Sequence, residues 1–395
     1  MKVTGYRSLL TTHEWGRTTG DANGVMPEPR TDVHVLILET DSGLEGVGVG
    51  AHSDIGRVFD AVEGEDPRAV TALYDRMLNR VFKSGHAGSV FGAIGAIDMA
   101  LWDLKAKAAG EPLWRTLGAL DRHVPGYASG IDISLDDDTL VELYERYAER
   151  GFGAAKLKGG HDVTHDLRRL LAVRDVLARN SARPALMLDA NESWNRTQAV
   201  RYVSELERTI DLAWIEEPVR RWDSAGLASV RQHVKTAVAT GENLTGLEQY
   251  RPLFDADAVD VVQVGNVWGI THFLRVAAVA HSRDLPVSPV AYHGNPLAHA
   301  AAALPNHLSF EVQQLHSPVG LVIDQEFADG GIVLGDTPGL GIEVDEARIH
   351  AAKTAPPIAG TAGPHVRPER AGLRLIPDPA RPAPVGAAAT SGRTA

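Results

Sequence analysis

Between positions 32 and 50 apolar and polar residues alternate (DVHVLILETDSGLEGVGVG), which predicts two strands joined by a turn at Asp41-Ser42-Gly43. The period then lengthens. From about Asp66 to Gly118 apolar residues recur at helical spacing in AVTALYDRML and GAIGAIDMALWDLKAKAAG, and Gly110 and Pro112 close the second run. After Pro125 short apolar runs alternate with amphipathic ones. The candidate strands are GYASGID (126–132), AAKLK (154–158), ALMLDAN (185–191), AWIEEP (213–218), AVATGE (237–242), VDVVQV (259–264), LPVSPV (285–290) and LSFEVQ (308–313). Helix-like stretches such as TLVELYERYAERG and DLRRLLAVRDVLARN lie between them. The strand starts are 22–31 residues apart, and eight such units predict an α/β fold with a TIM-type barrel over 126–325. A doubly wound open sheet is the rival, but even spacing without a Gly-rich phosphate loop favours closure. An α+β unit is expected over 1–125. Residues 351–395 hold eight of the 22 prolines and no periodicity, and read as a mobile tail. The rival reading packs this tail along the barrel or a neighbouring subunit, with AGLRLIPD (371–378) as its docking segment.

Composition narrows the function. The 395-residue chain is 44% hydrophobic and 23% charged, as in proteins with a large buried core. Thirty-nine basic against 51 acidic residues leave −12, the wrong sign for a nucleic-acid binder. No apolar run approaches the ~20 residues of a membrane span. The opening MKVTGYRSLLTTHEW lacks a signal-peptide core, so a cytoplasmic protein is expected. With no cysteine, thiolate chemistry and iron–sulfur clusters are excluded, and a metal would be held by oxygen or imidazole, which favours Mg²⁺ or Mn²⁺.

Catalytic groups of a TIM barrel gather at the strand ends. Here those ends carry Lys156 and Lys158, then Asp189 and Asn191, then Glu216 and Glu217, then Glu242. Asp189, Glu216 and Glu242 are 27 and 26 residues apart, about one unit each, so three carboxylates project from adjacent strands. They repel unless a cation joins them, and they suit a hard octahedral ion. The plainer alternative is that such acids cap the following helices. Lys156 and Lys158 share a strand face, and mutual repulsion would lower their pKa toward that of a base.

KLK (156–158), LDAN (188–191), WIEEP (214–218) and TGEN (240–243) together resemble the signature of the enolase superfamily, in its mandelate racemase-like, acid-sugar dehydratase branch. The resemblance extends to AIDMALWDLKAKAAGEPLWRTLG (96–118), NPLAHAAAALPN (295–306) and PGLGIEVDE (338–346). It implies an α+β capping domain at 1–125, a modified barrel at 126–325 and a return to the capping domain at 326–350. It also implies that Asp189, Glu216 and Glu242 ligate Mg²⁺, with Asn191 beside them and Glu217 in an outer shell. Lys158 would be the base, Lys156 would hold charge, and Glu311 would face a substrate carboxylate oxygen. The implied chemistry is abstraction of the α-proton of a small carboxylate through an enediolate.

Two positions depart from that pattern. Gln263 stands where the branch places an aspartate, and Val290 where it places the paired histidine. His293 follows three residues later, either as a replacement or as a loop histidine without a role. Asn266 and Trp268 also depart from the small or basic residues usual there. By analogy the capping loops bring His13, Trp15, Arg17 and TTGDANG (18–24), and then Lys83 and His86, to the substrate. The leading expectation is an acid-sugar dehydratase. A racemase or epimerase using Lys158 and His293, a cycloisomerase, and a barrel that binds without turnover follow in that order. A homo-oligomer is expected.

Overall fold

Residues 1–26, 28–50, 53–352 and 366–368 are described by a computed structural model. The two anticipated strands, Arg30–Thr40 and Glu45–Val49, pair antiparallel, with Val35 opposite Val49 and Glu39 opposite Glu45. A third strand, Val3–Glu14, adds to the other edge of Arg30–Thr40. The sequence reading did not place it. Its outward residues are half-buried or exposed, so its alternation is weaker than that of its partner.

The two predicted helices are Val70–Arg80 and Gly88–Ala109. The second is buried along nearly its whole length because it is wedged between the sheet and the barrel. Its sheet side is an interlock of small residues. A Cβ on Gly48 would lie 2.0 Å from the Ala96 carbonyl oxygen, and one on Gly46 would lie 2.3 Å from that of Ala100. Two buried acids fasten the helix. Asp103 accepts from the Val47 and Leu340 amides at 2.8 and 2.6 Å and pairs with Lys107. Asp98 accepts from the Thr271 amide and hydroxyl, in the first turn of Ile270–His281.

Eight parallel strands follow: His123–Ser129, Ala154–Lys158, Ala185–Asp189, Leu212–Glu216, Ala237–Thr240, Val261–Gly265, Val287–Val290 and Phe310–Val312. Each pairs with the next through the seventh, and the eighth pairs with the first, Glu311 opposite Tyr127. The Val287 amide and carbonyl bond to Asn306 and Leu308, which closes the ring and excludes the open sheet. The spacing predicted eight strand–helix units, but only seven strands are followed by a helix. The eighth leads into short strands, Leu321–Ile323, Gln325–Ala328, Gly331–Leu334 and Ile342–Val344, because the sequence after Val312 alternates in period rather than repeating at helical spacing. Gly331–Leu334 pairs antiparallel with the start of the first barrel strand. Among the described residues no helix is long and apolar enough to cross a membrane. Apart from Ala351, Ala352 and Val366–Pro368, the expected tail lies outside the described residues.

Inward-facing residues lie in layers. Tyr127, Met187, Trp214, Ala239 and Val261 form an apolar plug. Two residues further along the same strands come Ser129, Asp189, Glu216 and Gln263, all fully buried. The plug is the floor of a charged chamber.

The small-residue interlock has a direct consequence. Gly48→Ala should lower stability by about 1–3 kcal/mol, the usual cost of overpacking where the obstacle is backbone. A urea midpoint equal to the parent's would refute that reading of the helix contact.

Candidate functional site

The parallel register sets the chamber's geometry. Lys158 lies opposite Asp189, and Asp189 opposite Glu216. The Lys156 ammonium bonds to Glu216, lies 2.9 Å from Glu311 Oε1 and 3.7 Å from Asp189 Oδ2, and sits 5.6 Å above the Tyr127 ring. The Lys158 ammonium bonds to Asp189. Trp214 Nε1 donates to Glu216 Oε2 at 3.0 Å, so the floor orients a wall carboxylate. Glu311 Oε2 accepts from the Ala291 amide at 2.8 Å and from Gln313 Nε2 at 3.0 Å. Glu242 lies two residues beyond its strand and is half-buried. Its Oε1 accepts from Asn243 Nδ2 at 2.8 Å, and the same amide reaches Glu217 Oε1 at 3.2 Å.

Consecutive strand residues face opposite ways, yet Glu216 and Glu217 both serve this rim. Glu217 has φ 42°, and this left-handed turn redirects the chain. Asn191 and Glu192 adopt φ 43° and 58° at the end of the preceding strand, and the Glu192 amide donates to the Glu217 carbonyl at 2.8 Å. Left-handed backbone at non-glycine residues thus follows two of the strands that carry the acids.

Charge dominates the chamber. Burial pushes Glu216 up to about 8 against the pull of Lys156, and burial also raises Glu217 and Glu242. Burial acts on Asp189 and Glu311 in the same direction, but the two ammonium groups outweigh it and hold both below the usual range. The repulsion expected to lower the lysine pKa is present but loses. Burial and the neighbouring ammonium lower Lys158, while Asp189, Glu242 and Glu216 raise it further, so both lysines end above the ordinary value. Among the described residues no three Asp, Glu or His side chains converge on one ion as they stand, since the ammonium groups lie among them.

Other expected residues are spread more widely. The Gln263 side chain is fully buried in the chamber wall, and among the described residues neither amide atom has a hydrogen-bond partner. His293 is buried on the capping side, where its ring hydrogen-bonds with Thr31 Oγ1 at 3.2 Å and Gln314 Oε1 at 3.0 Å and lies 5.1 Å from the His13 ring. Burial lowers its pKa to about 4, against a weaker pull from the Gln314 hydrogen bond. Trp15 Nε1 donates to Thr31, and its ring is 6.5 Å from His293. The Arg17 guanidinium is taken up by the Gly130 carbonyl at the end of the first barrel strand. The His86 ring bonds to Glu248 Oε1 at 3.0 Å and to the Leu78 carbonyl at 3.1 Å.

Two groups escaped sequence reasoning. Asp132 accepts from the Lys158 amide at 3.0 Å, from Arg169 at 2.8 Å and from Tyr144 at 2.6 Å, which fixes the strand end that carries the lysines. A signal existed: Arg169 falls on the same helical stripe as the buried Asp166, Leu170 and Val173. The second is Asp21. Gly20 donates to the Ile131 carbonyl, Asn23 to the Asn191 carbonyl, and His161 bonds to the Ala22 carbonyl, so the 18–24 loop is pinned over three strand ends. That seats Asp21, raised by burial to about 6, within the field of Lys158. Only the fold could show this.

Residues 139–348 match the family model for the enolase C-terminal domain-like fold, and residues 29–118 match the N-terminal domain of mandelate racemase and muconate lactonizing enzyme. The chain belongs to the mandelate racemase/muconate lactonizing enzyme family of the enolase superfamily. Within this family it is 35% identical to L-talarate/galactarate dehydratase of Salmonella typhimurium, over 81% of this chain and 82% of that one. It is 32% identical to 3,6-anhydro-alpha-L-galactonate cycloisomerase of Streptomyces coelicolor, over 72% and 79%. Its fold is similar to that of the Salmonella dehydratase solved with Mg and L-lyxarohydroxamate (TM-score 0.79, 29% identity, 88% of this chain and 92% of that one). It is also similar to a racemase from Streptomyces coelicolor solved with bound magnesium (TM-score 0.80, 28% identity, 89% and 99%).

The buried His293 ring yields a prediction with a definite sign. The unfolded chain takes up a proton on this ring near ~6.5, whereas the folded chain does so only near 4. Its contribution to stability is therefore present above the unfolded value and is lost as pH falls through that window. In ¹³C-histidine spectra assigned with His293→Asn, the ring should stay uncharged down to about pH 5. A midpoint near ~6.5 would contradict the buried placement.

Proposed function

We propose that this chain is a hydro-lyase that uses a divalent cation, Mg²⁺ or Mn²⁺, to dehydrate an acid sugar of the aldonate or aldarate class. The observation that carries this reading is the juxtaposition of Lys158 with three carboxylates on consecutive strands. The donor set fits a cation. Asp189, Glu216, Glu217, Glu242 and Glu311 crowd one chamber against two ammonium groups, an excess of acid that a divalent ion would offset. Asp189, Glu216 and Glu242 would hold it, and when bound it supplies positive charge to the substrate carboxylate.

The remaining work falls to the chain. Asp189 and Glu216, whose oxygens pair with Lys158 and Lys156, would hold the cation, and sharing those oxygens would weaken the pairing that keeps Lys158 protonated. Lys158 Nζ then accepts the proton from the substrate's α-carbon. The electron pair released forms a double bond to the β-carbon, the β-hydroxyl leaves with a proton as water, and the enol tautomerises to a 2-keto-3-deoxy acid. Lys156, beside Glu311, keeps charge facing the carboxylate end. His293 is the proposed donor to the departing hydroxyl: burial keeps the ring uncharged in most molecules, so the protonated minority acts, as a strong acid. Gln263, whose amide has no partner among the described residues, is a proposed contact for a substrate hydroxyl. Trp15 lines the capping side, while Arg17 and His86 hold the loops. Cycloisomerisation begins with the same proton abstraction and differs in product.

In D₂O with Mg²⁺, a substrate acid sugar should lose its α-proton signal. Lys158→Ala should slow that loss by more than ~10²-fold while the protein stays folded. Retained exchange would remove Lys158 from the role. His293→Asn should block net elimination and spare exchange at the α-carbon; if both rates survive, another group protonates the leaving hydroxyl.

A further inference from the structure

Glu192 directly follows Asn191, on the loop that leaves the third barrel strand, and it is held from two directions. Its carboxylate Oε1 accepts from the Arg221 amide at 3.0 Å and from the Arg221 side chain, on the loop after the fourth strand. Its main-chain carbonyl accepts from Arg367, whose Nη1 is 3.8 Å from Glu192 Oε2. Arg367 belongs to none of the barrel's strands or helices. It lies beyond the last helix, Glu346–Ala352, in the Val366–Pro368 segment.

These contacts connect to the acids. Arg221 Nη1 reaches the Asn243 carbonyl at 3.4 Å, and Asn243 Nδ2 donates to both Glu242 and Glu217. A guanidinium on the Glu192 carbonyl therefore acts on the loop that also carries Asp189 and Asn191, where φ is positive at two consecutive residues. Such backbone persists only where its surroundings hold it. The local chain favours this use of Arg367, because the residue before a proline is kept extended and loses less freedom on docking. The Arg367 Nε is buried without a partner among the described residues, so the guanidinium is not fully used by Glu192.

We propose that Arg367 is a positioning residue of the barrel rim: it clips the Asp189–Glu192 loop from outside the barrel and so keeps Asp189 and Asn191 placed for the cation. The part concerning the cation rests on the ligand reading given above.

The test compares the full chain with Arg367→Ala and with a chain ending at Ala352, each checked for an unchanged fold by circular dichroism. Backbone hydrogen exchange at residues 190–193, read through the Glu192 amide that bonds to Glu217, should be about tenfold faster in both, as expected for loss of a charge-assisted hydrogen bond. Affinity for Mn²⁺, measured by electron paramagnetic resonance, should fall about fivefold in both by the same loosening. Removal of a nearby positive charge alone would strengthen cation binding, so the direction separates positioning from electrostatics. Unchanged exchange overturns the clip, and faster exchange with unchanged or tighter Mn²⁺ binding overturns its link to the site. If the parent chain binds no Mn²⁺, the cation reading fails, and the exchange comparison alone decides the clip.

Discussion

Placing carboxyl and ammonium groups together in a buried chamber costs several kcal/mol of desolvation per ion, which only close pairing offsets. The chamber of this barrel holds more acids than lysines, and that imbalance sets its behaviour. Burial, reinforced by the neighbouring acids, pushes Glu216 up to about 8, and the carboxylates around both lysines keep them protonated. A divalent ion on the acids would satisfy the same oxygens that now pair with the lysines. On the proposed reading, cation binding and the Lys158 base would draw on one charge balance.

The rest of the fold maintains that balance. The apolar plug excludes water from below and, through Trp214 Nε1, orients Glu216. Parallel register brings Lys158, Asp189 and Glu216 to one level without any long-range loop. Asp132, with Arg169 and Tyr144, anchors the lysine strand from outside the chamber. The capping unit reaches the rim through the pinned 18–24 loop, and the Gly88–Ala109 helix, packed on the capping sheet at Gly46 and Gly48, is fastened to the barrel by Asp98 through the Thr271 amide and hydroxyl.

The barrel strands were legible because each is a short apolar run bounded by an amphipathic helix, and the acids were legible because they recur once per unit. What escaped were features that depend on the third dimension. Val3–Glu14 was missed because its outward face is mixed in polarity. Asp21 becomes relevant only when its loop is pinned across three strand ends. His86 and Arg17 have the right composition for a substrate loop, but each is bonded into the interface between capping unit and barrel. For His293, burial reduces proton affinity in a way chain position does not reveal. The lysine pair was read with the correct sign of mutual repulsion and the wrong net result, since the carboxylates that outweigh it come from other strands.

Calorimetric titration of the metal-free chain with Mg²⁺ tests the charge-balance account most directly. The account predicts one saturable site per chain, with binding lost in Asp189→Asn, Glu216→Gln and Glu242→Gln alike. No saturable binding in the parent chain, or undiminished binding in all three variants, would contradict it.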